Sequence, residues 1–129
     1  MDYGITITLD IPFAETVERV RAALAEQGFG ILTEIDVQAT MRAKLGEETE
    51  DYLILGACNP PLAHRALGVD RRIGLLLPCN VVVRTAANGT VVEAMDPQLM
   101  VQVTERPELA AVADEAADRL RKALTSLQA

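Results

Sequence analysis

Tryptophan is absent and aromatic residues make up only 3% of the 129-residue chain. A core therefore has to be assembled from Val, Leu, Ile, Ala and Met. Serine occurs once, at Ser126, which effectively excludes a serine nucleophile. Two cysteines are too few for a disulfide scaffold of the secreted type. No run approaches the roughly 20 apolar residues that span a bilayer, so no membrane association is expected. The opening MDYGITITLD has neither a basic segment nor an apolar one of signal-peptide type. A cytoplasmic, reducing location is the expectation. Basic residues are outnumbered, 12 Lys and Arg against 19 Asp and Glu, for a net charge of −7. That balance argues against a phosphate-tracking surface, and no nucleic-acid partner is expected. Glycine-rich phosphate loops, Walker patterns and zincin motifs are all missing.

What is present is a folded composition, with half of the residues hydrophobic and 24% charged. With no repeat, low-complexity tract or linker, residues 1–129 are expected to form one α+β domain. Segment 3–11 alternates, with Tyr3, Ile5, Ile7, Leu9 and Ile11 opposite Thr6, Thr8 and Asp10, the period of a half-buried strand. Pro12 suits the first turn of a helix, in which Phe13, Val17, Val20 and Leu24 recur at helical spacing before Gly28 ends it. Residues 30–36 read as a second strand. Asp36 then caps a short helix through Val37, Met41 and Leu45, closed by Gly46.

The acidic run Glu47–Asp51 reads as a solvated loop, and the nearly continuous apolar run Tyr52–Cys58 as a strand covered on both faces. Asn59–Pro60 predicts a helix start, and Gly68 its end. Segment Ile73–Leu77 is apolar and ends at Pro78. Strands 80–85 and 90–95 flank Asn88–Gly89, a strong hairpin signal. Asp96–Pro97 turns the chain into a helical turn at 98–101. A last helix from Pro107 carries Leu109, Val112, Ala116, Leu120, Ala123 and Leu127. The expected architecture is a mainly antiparallel sheet of about five strands, two long helices on one face and short inserted helices. The other face is then a dimer surface, or is covered by the insertions.

The same dipeptide occurs twice, as Cys58–Asn59 before Pro60 and as Cys79–Asn80 after Pro78. If the two strands are antiparallel neighbours, both dipeptides lie at one end of the sheet, and the hairpin returns Asp96 to that end. His64, the sole histidine, sits on the helix that begins there. Cys58, Asn59, His64, Cys79, Asn80 and Asp96 thus form a candidate cluster. Three readings are open. Cys58 and Cys79, with His64 or Asp96, bind a soft metal such as zinc or copper(I), although the spacing is no known metal pattern. Alternatively, Cys58 at a helix N-terminus does thiol redox chemistry with Cys79 resolving. In the third, both thiols are inert core residues and Asn59 is an ordinary cap. Met95 and Met100 lie near the cluster but in apolar runs, where core packing is the expected role. Arg71–Arg72 is a weaker candidate for anion contact.

The segments Gly28–Gly30, Glu34–Val37, Gly56–Pro60 and Gly74–Val81 resemble the domain-of-unknown-function 302 family, the Leu-Leu-Pro-Cys-Asn-Val stretch being the most specific. The resemblance covers nearly the whole chain. It implies a TATA-binding-protein-like topology, strand–helix–four strands–helix with extra helices, in a homodimer. It names no activity or cofactor, and a fold shared with a DNA-binding protein does not imply DNA binding. The leading expectation is a small-ligand or metal-binding protein whose site is at the Cys58/Cys79 end, with Cys58, Asn59, Cys79 and Asn80 as its ligand contacts.

Overall fold

The computed structural model of the chain describes residues 2–128. Five strands, β1 (Gly4–Leu9), β2 (Gly30–Asp36), β3 (Tyr52–Cys58), β4 (Cys79–Ala86) and β5 (Gly89–Met95), form one sheet in the order β1-β5-β4-β3-β2. Every neighbouring pair is antiparallel. Helices α1 (Phe13–Glu26) and α5 (Ala110–Leu127) are the long ones, and α2 (Val37–Leu45), α3 (Pro60–Val69) and α4 (Gln98–Thr104) are inserted between strands or after the last one. The architecture is the α+β arrangement expected, with the strand–helix–four strands–helix order intact.

Local chemistry accounts for most boundaries. Asp36 Oδ1 accepts from the Ala39 N–H at 2.9 Å and caps α2, which Gly46 ends in the left-handed region. Asn59 caps α3 through the Leu62 N–H at 3.4 Å, with Pro60 opening the helix. Pro12 precedes α1 in an extended conformation, a position earlier than expected, and its carbonyl accepts from the Thr16 hydroxyl at 2.9 Å.

Two expectations are corrected, and one apolar segment gains an assignment. Gly68 does not end α3, which runs on to Val69 because the Asp70 N–H still reaches the Ala66 carbonyl at 3.0 Å. The apolar segment before Pro78 belongs to a 3-10 helix over Arg71–Leu76, started by Asp70, whose carboxylate accepts from the Arg72 N–H at 3.0 Å. The turn after Pro97 grows into a full helix to Thr104. The Leu77–Pro78 peptide is cis.

The interior is divided. The main core lies between the sheet and the two long helices: Val17, Val20 and Leu24 of α1 and Leu120, Ala123 and Leu124 of α5 pack on Leu53, Leu55, Val81, Val83 and Val92. A second cluster lies under the inserted helices, where Leu62 and Ala66 of α3, Ile73, and Met100 of α4 meet Leu109, Val112, Ala113 and Ala116. Helix α5 supplies both, its first half to the second cluster and its second half to the main core. Across the face turned away from α1 and α5 runs the row Ile35, Ile54, Val82, Glu93 and Thr6. Glu93 there binds Arg84 at 3.3 Å and the Thr6 hydroxyl at 2.9 Å.

Candidate functional site

Where the two clusters meet there is a cavity of about 30 Å³. Its walls are mostly apolar, from Phe29 and Ala57 through Leu62 and Ala66 to Leu77, Pro78 and Val112, with three sulfur-bearing residues, Cys58, Cys79 and Met100, and one polar residue, Asn59. The register explains why the two cysteines lie at one end of the sheet. Ala57 is opposite Cys79, so the end of β3 and the start of β4 lie side by side. Cys79 shares the core-facing parity of Val81 and Val83 and is 7% exposed; Cys58, one residue past Ala57, is half-buried. Neither cysteine is in a disulfide. Burial, and secondarily the neighbouring Cys58, push the Cys79 thiol up from 9.0 to about 11, since a thiolate is poorly solvated there. A volume of about 30 Å³ holds a water molecule or a single ion, far below the few hundred Å³ of a metabolite pocket.

Two glycines make room for this end of the sheet. A Cβ on Gly56 would collide with the Thr33 hydroxyl and stand 2.9 Å from Pro78 Cγ, so only glycine lets β2 and Pro78 close over β3 here. Gly28 has φ +85° and a Cβ there would meet the Asn59 amide at 2.9 Å. The Asn59 amide donates to the Gln27 carbonyl at 3.4 Å, and that carbonyl also accepts from Arg119 at 3.1 Å. Arg119 is paired with Glu115 at 3.3 Å. Asn59 is thereby held by the α1 terminus and by α3 at once.

Of the six clustered residues, Cys58, Asn59 and Cys79 share the cavity. Asn80, His64 and Asp96 do not line it. Asn80 is exposed because strand alternation turns it to the face opposite Cys79. His64 is exposed because the helix turns Leu62 and Ala66, not His64, inward. Asp96 reaches the right end of the sheet, but its carboxylate accepts from the Gln98 N–H at 3.0 Å and faces Arg121 at 3.5 Å. Among the described residues no group of three or more His, Cys, Asp and Glu is arranged to hold a metal ion. Met100 sits in an apolar run that predicts core packing, and such a run does not distinguish a buried methionine from one that lines a cavity.

A second concavity, about 330 Å³, lies between the 3-10 helix and α4 and is lined by Asp70, Arg72, Leu75, Leu76, Val103, Thr104 and Arg106. Asp70 is paired with Arg106 at 3.2 Å. No helix among the described residues is long and apolar enough to cross a membrane.

The signature of the family described as Domain of unknown function DUF302 matches residues 5–127. Among solved structures, the uncharacterized conserved protein DUF302 from Bacillus stearothermophilus is similar to the chain, at 28% sequence identity and a TM-score of 0.91, over 97% of this chain and 98% of that one. No curated protein matches the chain.

Proposed function

The chain belongs to the DUF302 family, and from that premise we propose that it binds a single soft metal ion between Cys58 and Cys79. The supporting observation is that Cys58 and Cys79, at adjacent strand ends, both line one small cavity whose walls are otherwise almost entirely apolar. Thiolate sulfur selects soft ions, and the cavity volume suits an ion rather than an organic ligand. Each thiol that ligates releases its proton to solvent.

Thiol catalysis is the weaker reading. Its resolving thiol would be Cys79, which burial keeps protonated at neutral pH and nearly closed to solvent.

The test is titration of the reduced protein with copper(I), cadmium and zinc, followed by ultraviolet thiolate-to-metal absorption. One ion bound per chain, lost in both Cys58→Ala and Cys79→Ala, supports the reading. Absence of binding by all three ions, or binding that survives both substitutions, overturns it.

For the partner, we propose a second copy of the chain across the face turned away from α1 and α5. Ile35, Ile54 and Val82 stand in one row there, with Ile35 49% exposed. A contiguous apolar row on an uncovered sheet face favours burial against a like surface.

A further inference from the structure

We propose that the concavity of about 330 Å³ between the 3-10 helix and α4 is a separate site that binds a monocarboxylate with a hydrocarbon chain. Arg106 and Arg72 receive the carboxylate, and Leu75 and Val103 the chain. Among the described residues it shares no lining residue with the cysteine cavity, so it stands apart from the metal reading. The two walls are tied together at two levels. At the rim, Asp70 Oδ1 accepts from the Arg72 N–H at 3.0 Å while Oδ2 lies 3.2 Å from Arg106 Nε. The Arg106 guanidinium is thereby held within one carboxylate's width of the start of the 3-10 helix. Beneath, Ile73 and Met100 are buried in one cluster, with Leu76 packed against it. Side chains three apart eclipse in a 3-10 helix, so Ile73 and Leu76 share the inward face, and Arg72 and Leu75 share an exposed one. At the end of α4, Glu105 adopts the left-handed region at φ 56°, uncommon for a residue with a Cβ. That turn brings Arg106 against Asp70.

Charge and apolar surface then specify the occupant. Two arginines against one aspartate leave the lining at net +1, on a chain whose net charge is −7. The aspartate is already engaged by Arg106 and by the Arg72 N–H. Among the described residues the Arg72 guanidinium is in no ion pair, and Arg106 pairs with Asp70 alone, through Nε. Guanidinium N–H groups left over in this way suit the two oxygens of a carboxylate. Leu75 is 79% exposed and Val103 58%. Leu75 stands one 3-10 turn, about 6 Å, from Arg72, so the occupant carries its apolar part several bonds from its charge. An inorganic anion would leave Leu75 and Val103 uncovered. A neutral alcohol would leave the guanidinium groups without a charged acceptor. The volume lies within the range of small-molecule pockets, about 300–1,000 Å³.

The experiment titrates the full chain with octanoate, octanol and acetate, read by calorimetry and by the NMR shifts of the Leu75 and Val103 methyl groups. Octanoate, kept below its micelle-forming concentration, is expected to bind once per chain and to move both sets of methyl signals. Octanol and acetate should each bind at least about tenfold more weakly, and Arg106→Gln should weaken octanoate by the same factor, that of one hydrogen bond to a charged group. Because Arg106→Gln also removes the partner of Asp70, Leu75→Asp is the second variant. Its position is too exposed to disturb the core, and its carboxylate beside the hydrocarbon chain should weaken octanoate by a similar factor. Octanol binding as tightly as octanoate overturns the role of the arginines. Acetate binding as tightly overturns the role of Leu75 and Val103. Octanoate affinity unchanged in both variants, methyl shifts confined to other residues, or no octanoate binding at all overturns the site.

Discussion

Asn59 is a residue whose neighbours fix its role. Its side chain accepts from α3 and donates to the carbonyl that ends α1, while remaining 8% exposed. Asn59→Ala is expected to lower stability by about 1–2 kcal/mol, the usual cost of a lost cap, read from urea midpoints. Asn59→Asp, which keeps the acceptor and loses the donor, should fall between. Cys79 gives a second prediction at this scale. Its folded value, about 11 against 9.0, means the unfolded chain releases the proton first as pH rises. Between those values the folded state binds more protons, so stability falls with pH. The stabilisation is complete below about pH 9 and is lost as pH passes 11, amounting to roughly 3 kcal/mol. Urea midpoints of the metal-free protein measured from pH 8 to pH 11 should show the decline, and the difference from Cys79→Ala isolates it from other groups. At this scale the sequence was only partly legible. The Asn59 cap could be read from Asn-Pro, but Asn80 looked identical in the doubled dipeptide. What separates them is that Asn80 lies inside a strand, where alternation decides its face, whereas Asn59 lies just beyond one.

Elements differ in what they bury. Helix α5 turns Leu120 and Leu124 into the main core, each at most 1% exposed. Leu120→Ala should therefore cost about 2–5 kcal/mol. Helix α2 buries nothing fully, and Leu45 is 68% exposed. Leu45→Asn should change stability by less than about 0.5 kcal/mol; parallel denaturation curves of the two variants check both. Both helices carry apolar residues at helical spacing in the sequence, so periodicity announced their existence without ranking them. Rank depends on whether an element lies over the sheet or beside it, which is a tertiary property. The same limit explains Gly68, whose flexibility suggested a stop, while a backbone bond from Asp70 carried the helix past it. It also explains Arg71–Leu76, too short for periodicity to separate a strand from a 3-10 helix.

The molecule as a whole joins two hydrophobic clusters along one helix, and the sulfur-lined cavity lies at their seam. For the proposed second copy, Ile54→Lys should reduce the mass observed by sedimentation equilibrium from twice 13.9 kDa to 13.9 kDa. An unchanged mass would remove that face as the interface. The antiparallel pairings were legible because the Asn88–Gly89 hairpin, the two-residue alternation and the two long amphipathic helices agree. The pairing of β1 with β5 was not, since no local signal links residues so far apart. That pairing, from Gly4 opposite Met95 to Leu9 opposite Thr90, bears on how the chain comes into being. Closing so long a loop costs on the order of 4 kcal/mol of chain entropy. On the ribosome the first strand made must wait, unpaired, until β5 has emerged. A chain interrupted before Thr90 would leave that strand with an open edge, ready to pair with another unfinished copy.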